Sequence, residues 1–136
     1  MPHPLILPMT AHVALATLLY VLLTIARAPS IWGIGRRPDG SNPWATIEPR
    51  ISANLSNQFE LPVLFYVLTI LGIISKHADL LFVVMAWIFV LTRLAHAFVH
   101  CTSNNLRVRG SLFGIGALVL AIMWLIFMIR IMLGLP

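Results

Sequence analysis

Apolar and polar positions alternate along this chain in blocks rather than at short period. Long apolar runs occupy roughly residues 5–26, 59–75, 80–101 and 111–133, each near the ~20 residues that cross a bilayer core. Polar clusters separate them. The pattern predicts an all-α integral membrane protein: one four-span transmembrane domain over residues 1–136, with no room for a soluble second one. Glu48-Pro49 opens the second helix ahead of its apolar run, with Pro49 in the first turn. Pro62, farther along, is expected to kink that helix or be accommodated by neighbours. Ser75-Lys76-His77-Ala78-Asp79 is a turn short enough to make the second and third spans antiparallel neighbours.

Composition agrees with the blocks. Hydrophobic residues make up 60% of the chain and charged ones 10%, too apolar for an ordinary soluble domain. Ala26-Arg27-Ala28 has the small-x-small look of a signal-cleavage site. The apolar run before it is longer than a signal core and has no basic residue ahead of it, so a retained first span is expected.

The net charge of +5 is not a nucleic-acid footprint, because the positives do not form one patch. Arg27, Arg36, Arg37 and Arg50 follow the first span, Arg107 and Arg109 precede the fourth, and only Lys76 lies between the second and third. The positive-inside rule then makes the first and third loops cytoplasmic and sets both termini on the far side. Arg130, near the far end of the fourth span, can snorkel to that interface. Trp32 and Trp44 suit the headgroup layer. The fourth span opens with Gly110, Gly114, Gly116, Ala117 and Ala121, a small-residue face of the GxxxG type for helix packing. The single Cys101 excludes an internal disulfide.

Candidate chemistry is concentrated where the second span begins. Asn54, Asn57, Gln58 and Glu60 stand at its mouth. About the hairpin midpoint, and at ~1.5 Å rise per residue, Glu60 is level with Arg93 and Asn57 with His96. His100 is a turn nearer the cytoplasm, and Arg93, His96 and His100 share one helix face. A Glu60–Arg93 ion pair is therefore expected, beside a polar cavity open to the cytoplasm and rimmed by Arg107 and Arg109. That set suits a small anionic or zwitterionic ligand, with an apolar co-substrate reaching it from the lipid. A packed Glu–Arg lock between two spans is the plainer alternative. His96 and His100, at i and i+4, are the conceivable metal pair, but the surrounding positive charge disfavours a cation, and no metal is expected.

The run Asn57-x-x-Glu60-x-Pro62 resembles the MAPEG proteins, the membrane-associated proteins of eicosanoid and glutathione metabolism. So does Arg93-x-x-His96, followed by Arg109 at the entry of the fourth span. The stretch RISANLSNQFELPVLFY reads like the small bacterial branch, which places the chain in an inner membrane. The resemblance implies a four-helix bundle assembled as a homotrimer, with glutathione bound between subunits near the cytoplasmic face. It implies that Asn57, Glu60 and His96 contact glutathione and that Arg109 stabilises its thiolate; Arg93 and His100, on the same helix face as His96, are the further expected glutathione contacts. Where the prostaglandin synthase branch has further arginines before the Asn, this chain has Ala53 and Ser56. His100 replaces a tyrosine, and Gly110 replaces a serine.

The function so implied is a glutathione-dependent transferase or peroxidase acting on apolar electrophiles. A non-catalytic binding protein, a structural subunit and a proton-coupled exporter using Glu60 are the alternatives. No inverted repeat supports the last.

Overall fold

In the computed structural model, which describes residues 3–136, five helices make four membrane-length rods. They are α1 (Ile6–Ile31), α2 (Glu48–Asn57), α3 (Leu61–Ile74), α4 (Leu80–Cys101) and α5 (Leu106–Leu133). α2 and α3 together form the second rod. All four are long and apolar enough to cross a membrane, and the protein is an all-helical integral membrane bundle.

The second rod is broken rather than kinked. Gln58, Phe59 and Glu60 leave the α-helix, and Pro62 falls in the first turn of the new helix, where its missing N–H leaves no carbonyl unpaired. Backbone at this depth must stay bonded. It does so through three-residue steps: Phe59 N–H to Ser56 O, Glu60 N–H to Asn57 O and Val63 N–H to Glu60 O, at 3.1, 3.2 and 3.2 Å.

Two apolar cores hold the rods together. In one, Leu15, Leu19, Leu23 and Ala26 of α1 form a stripe at helical spacing against Ile51 and Leu55 of α2 and Ala97 of α4. In the other, Phe65 and Leu68 of α3 meet Phe82, Phe89 and Val90 of α4 and Leu120, Met123 and Phe127 of α5. Phe65 stacks on Phe89 with centroids 4.7 Å apart, so aromatic rings fill the space between α3 and α4.

α4 and α5 approach most closely at Gly116, where a Cβ would stand 2.7 Å from Thr92 Oγ1. The expected Gly110–Gly114 packing face is not used inside this chain, since a Cβ at either would meet nothing within 4 Å. The physical reason is register: the buried stripe of α5 runs Gly116, Leu120, Met123, Phe127, on a different face from Gly110 and Gly114.

One end of the bundle gathers the 75–79 turn and the C-terminus. Arg130 Nη2 donates to Asp79 Oδ2 at 3.0 Å, its Nη1 donates to His77 O at 3.2 Å, and His77 Nε2 bonds Leu135 O at 2.8 Å. The opposite end gathers the first and third loops. There Arg27 pairs with Glu48 at 2.8 Å and Arg50 Nη1 donates to Thr102 O at 2.6 Å.

Candidate functional site

The polar residues of α2 and α4 meet in a buried hydrogen-bonded network at the level of the helix break. Asn54, Asn57 and Gln58 lie on the last turn of α2 and its cap, and Arg93, His96 and His100 on the facing side of α4. Arg93 is 1% exposed; its Nε donates to Gln58 Oε1 at 3.3 Å and its Nη2 donates to Asn57 Oδ1. Gln58 Nε2 donates to Asn54 Oδ1 at 2.9 Å. Asn54 Nδ2 faces His96 Nδ1 at 3.3 Å and His100 Nδ1 at 3.0 Å. From α1, His12 Nε2 reaches Gln58 Oε1 at 2.8 Å, and His12 Nδ1 bonds the Tyr66 hydroxyl of α3. Four helices, on three of the rods, thus share one network. Such a network stabilises a membrane bundle because its buried polar groups bond one another, with Arg93 Nη1 the buried atom left without a partner.

The Glu60–Arg93 ion pair expected from depth matching is not formed. Among the described residues the ion pairs are Arg27–Glu48 and Arg130–Asp79. Glu60 is exposed on the break, and Arg93 takes its partners three and two residues earlier, at Asn57 and Gln58. Equal spacing from the hairpin assumes an unbroken helix, and the break at 58–60 ends the α-helical register between α3 and α2. Asn54 accordingly meets His96, where Asn57 had been expected.

The expected polar cavity is largely closed by the polar groups themselves, with Asn54 and Gln58 at 0% and 1% exposure. At the edge of the network His96 and His100 are themselves buried, at 6% and 8% exposure. Phe113 of α5 flanks it, with its ring centroid 6.0 Å from that of His96 and 5.9 Å from the Arg93 guanidinium carbon. Arg109, half-buried one turn before Phe113, lies within charge-interaction range of both histidines. Among the described residues its side chain has no hydrogen bond or ion-pair partner, and neither has that of Glu60. Arg107 is exposed. Ala53, Ser56 and Gly110 are exposed as well.

A groove of about 440 Å³ opens on the other flank of α4, between α1, α2 and α4. It is almost wholly apolar, and Leu94, Ala97 and Phe98 turn toward it while His96 and His100 turn away. Among the described residues, no three His, Cys, Asp or Glu side chains gather as a metal site.

Sequence reasoning did not assign His12, Gln58, Tyr66 or Phe113 to the site. Two signals were available. His12 is an ionisable residue inside an otherwise apolar span, which is costly without a partner, and Gln58 lies at i+4 from Asn54.

The MAPEG family model matches residues 5–129, which include the whole network and all of the rods except the last four residues of α5. The chain belongs to the MAPEG family. No curated protein and no solved structure matches it. For a MAPEG protein the arrangement divides in two. The buried amides and guanidinium bond one another, while the side chains of Glu60 and Arg109 make no hydrogen bond or ion pair among the described residues.

Proposed function

We propose that this MAPEG protein is a membrane-bound glutathione-dependent transferase or peroxidase acting on apolar electrophiles dissolved in the bilayer. Glutathione would lie along α2, α4 and the entry of α5, with the first and third loops cytoplasmic in a bacterial inner membrane. The working unit would be a homotrimer.

The observation that carries the reading is the pair of unengaged opposite charges flanking the histidines. Glu60 is free to accept from an ammonium group, and Arg109 is free to face an anion. A guanidinium beside a thiol lowers its pKa and raises the thiolate fraction, and the thiolate is the nucleophile. In a transfer, the sulfur forms a C–S bond and the leaving group departs with its electron pair. In a peroxide reduction, the sulfur takes the distal oxygen as the O–O bond breaks, giving a sulfenic acid, and the alkoxide leaves with the electron pair and is protonated to the alcohol. A second glutathione then displaces water to give the disulfide. His96, His100 and Asn57 would orient the tripeptide, with Arg93 holding Asn57 from behind.

Ala53 and Ser56 leave the entrance with fewer cations than the prostaglandin synthase branch, which weakens carboxylate binding. The self-satisfied network favours a second reading, a non-catalytic family member in which these residues lock the bundle.

Glutathione binding by the detergent-purified protein separates the two. Saturable binding with a thiolate ultraviolet band, lost in Arg109→Ala, supports the enzyme. Absence of binding at millimolar glutathione rejects it and leaves the structural role.

A further inference from the structure

The direction of every hydrogen bond in the buried network follows from Arg93. An arginine has donors and no acceptor, so the atoms of Asn57 and Gln58 that face it must be carbonyl oxygens. Gln58 Oε1 is also 2.8 Å from His12 Nε2, which must therefore carry a proton and donate. Held this way, Gln58 turns its NH₂ group to Asn54, whose Oδ1 accepts at 2.9 Å. Asn54 then has its own NH₂ group left, placed between His96 Nδ1 and His100 Nδ1 at 3.3 and 3.0 Å. One amide hydrogen goes to each ring. Both Nδ1 atoms must be bare, so each neutral ring carries its proton on Nε2.

The valences close. Gln58 Oε1 has two lone pairs for two donors, and the Asn54 amide has two hydrogens for two rings. Besides Arg93 Nη1, which is buried without a partner, the two Nε2 atoms are what remains. Among the described residues neither has a hydrogen-bond partner; the two rings are 6% and 8% exposed, and neither Nε2 is fully buried.

We propose that Gln58 and Asn54 are positioning residues that hold His96 and His100 as Nε2–H donors, so the site selects a ligand group that accepts hydrogen bonds, a carboxylate or thiolate. The proposal rests on reading the two histidines as ligand contacts. Neither amide touches the ligand: each acts by fixing which nitrogen of a ring bears the proton.

The test is tautomer-resolved NMR of histidine-labelled protein in lipid nanodiscs at mildly alkaline pH, with His96→Gln and His100→Gln assigning the signals. The wild-type rings are expected as the Nε2–H form. Gln58→Glu keeps an acceptor for Arg93 and His12 but offers a second acceptor to Asn54. Asn54 must then turn its NH₂ group to the carboxylate and present Oδ1 to the rings. Both rings should switch to the Nδ1–H form, and glutathione affinity should fall roughly tenfold or more, as the charge-assisted donors are lost.

Asn54→Asp should produce the same switch and serves where Gln58→Glu fails to fold. Wild-type rings in the Nδ1–H form, or rings unmoved in a folded variant, overturn the relay. The tautomers are read without ligand. Nε2–H rings in a protein that binds no glutathione would therefore keep the relay and reject the proposed function.

Discussion

Arg93 Nε donates to Gln58 Oε1 across 3.3 Å, joining the middle of α4 to the point where the second rod breaks. This bond and the one from Nη2 to Asn57 make the guanidinium the brace of the broken helix. Arg93→Ala would leave Asn57 Oδ1 without its donor, at about 1–3 kcal/mol, and Gln58 Oε1 with His12 Nε2 alone. Thermal unfolding in detergent should show a marked loss of stability, and Arg93→Lys, with one compact head, should recover part of it.

Glu60 is expected to behave differently from Arg93. It is exposed and makes no ion pair, so Glu60→Gln should change stability by less than about 0.5 kcal/mol. Glutathione affinity should fall in the same variant. Calorimetric titration beside a melting curve checks both, and unchanged binding would remove Glu60 from the site.

Gly116 and the pair Gly110 and Gly114 separate packing inside the chain from anything outside it. Gly116→Ala puts a Cβ against Thr92 Oγ1, which is itself bonded to Phe89 O at 2.6 Å, and should cost about 1–3 kcal/mol through overpacking. Gly110→Ala and Gly114→Ala meet nothing in this chain and should leave its folding intact. Size measurement of those two variants reads whether a neighbouring subunit packs there.

The far-end clasp supplies a pH dependence whose sign is fixed. The hydrogen bond from Arg130 holds the Asp79 carboxyl below the usual carboxylate range. A depressed carboxylate contributes stability above its unfolded pKa and loses it as pH falls through the folded one. Asp79 is largely exposed, so the amount is small, about 0.2–1 kcal/mol. Asp79→Asn retains an oxygen for the Phe82 N–H at 3.2 Å and should lower stability slightly at neutral pH. The gap to wild type should close in acid, as melting curves across pH would reveal.

The polar face at the mouth of the second span was legible because ionisable and amide side chains are rare in apolar runs and can be placed by helical spacing. Asn54, Asn57, Arg93, His96 and His100 do come together. Their pairing was not legible. Depth matching assumes an unbroken helix, and the stretch 58–60 does not provide one. His12 belongs to the network from a rod whose approach to α2 no spacing within α2 or α4 could reveal.

Hydropathy by itself determined that this chain spans a membrane as four helical rods, since a bilayer demands about 20 apolar residues and internally satisfied backbone. The order of its polar residues carried the resemblance to the MAPEG family, which the match over residues 5–129 establishes. Only the tertiary structure decided which partner each polar side chain takes. Arg93 bonds Asn57 and Gln58 rather than Glu60, because hydrogen bonds are satisfied within about 3 Å while sequence spacing fixes depth only to within a turn.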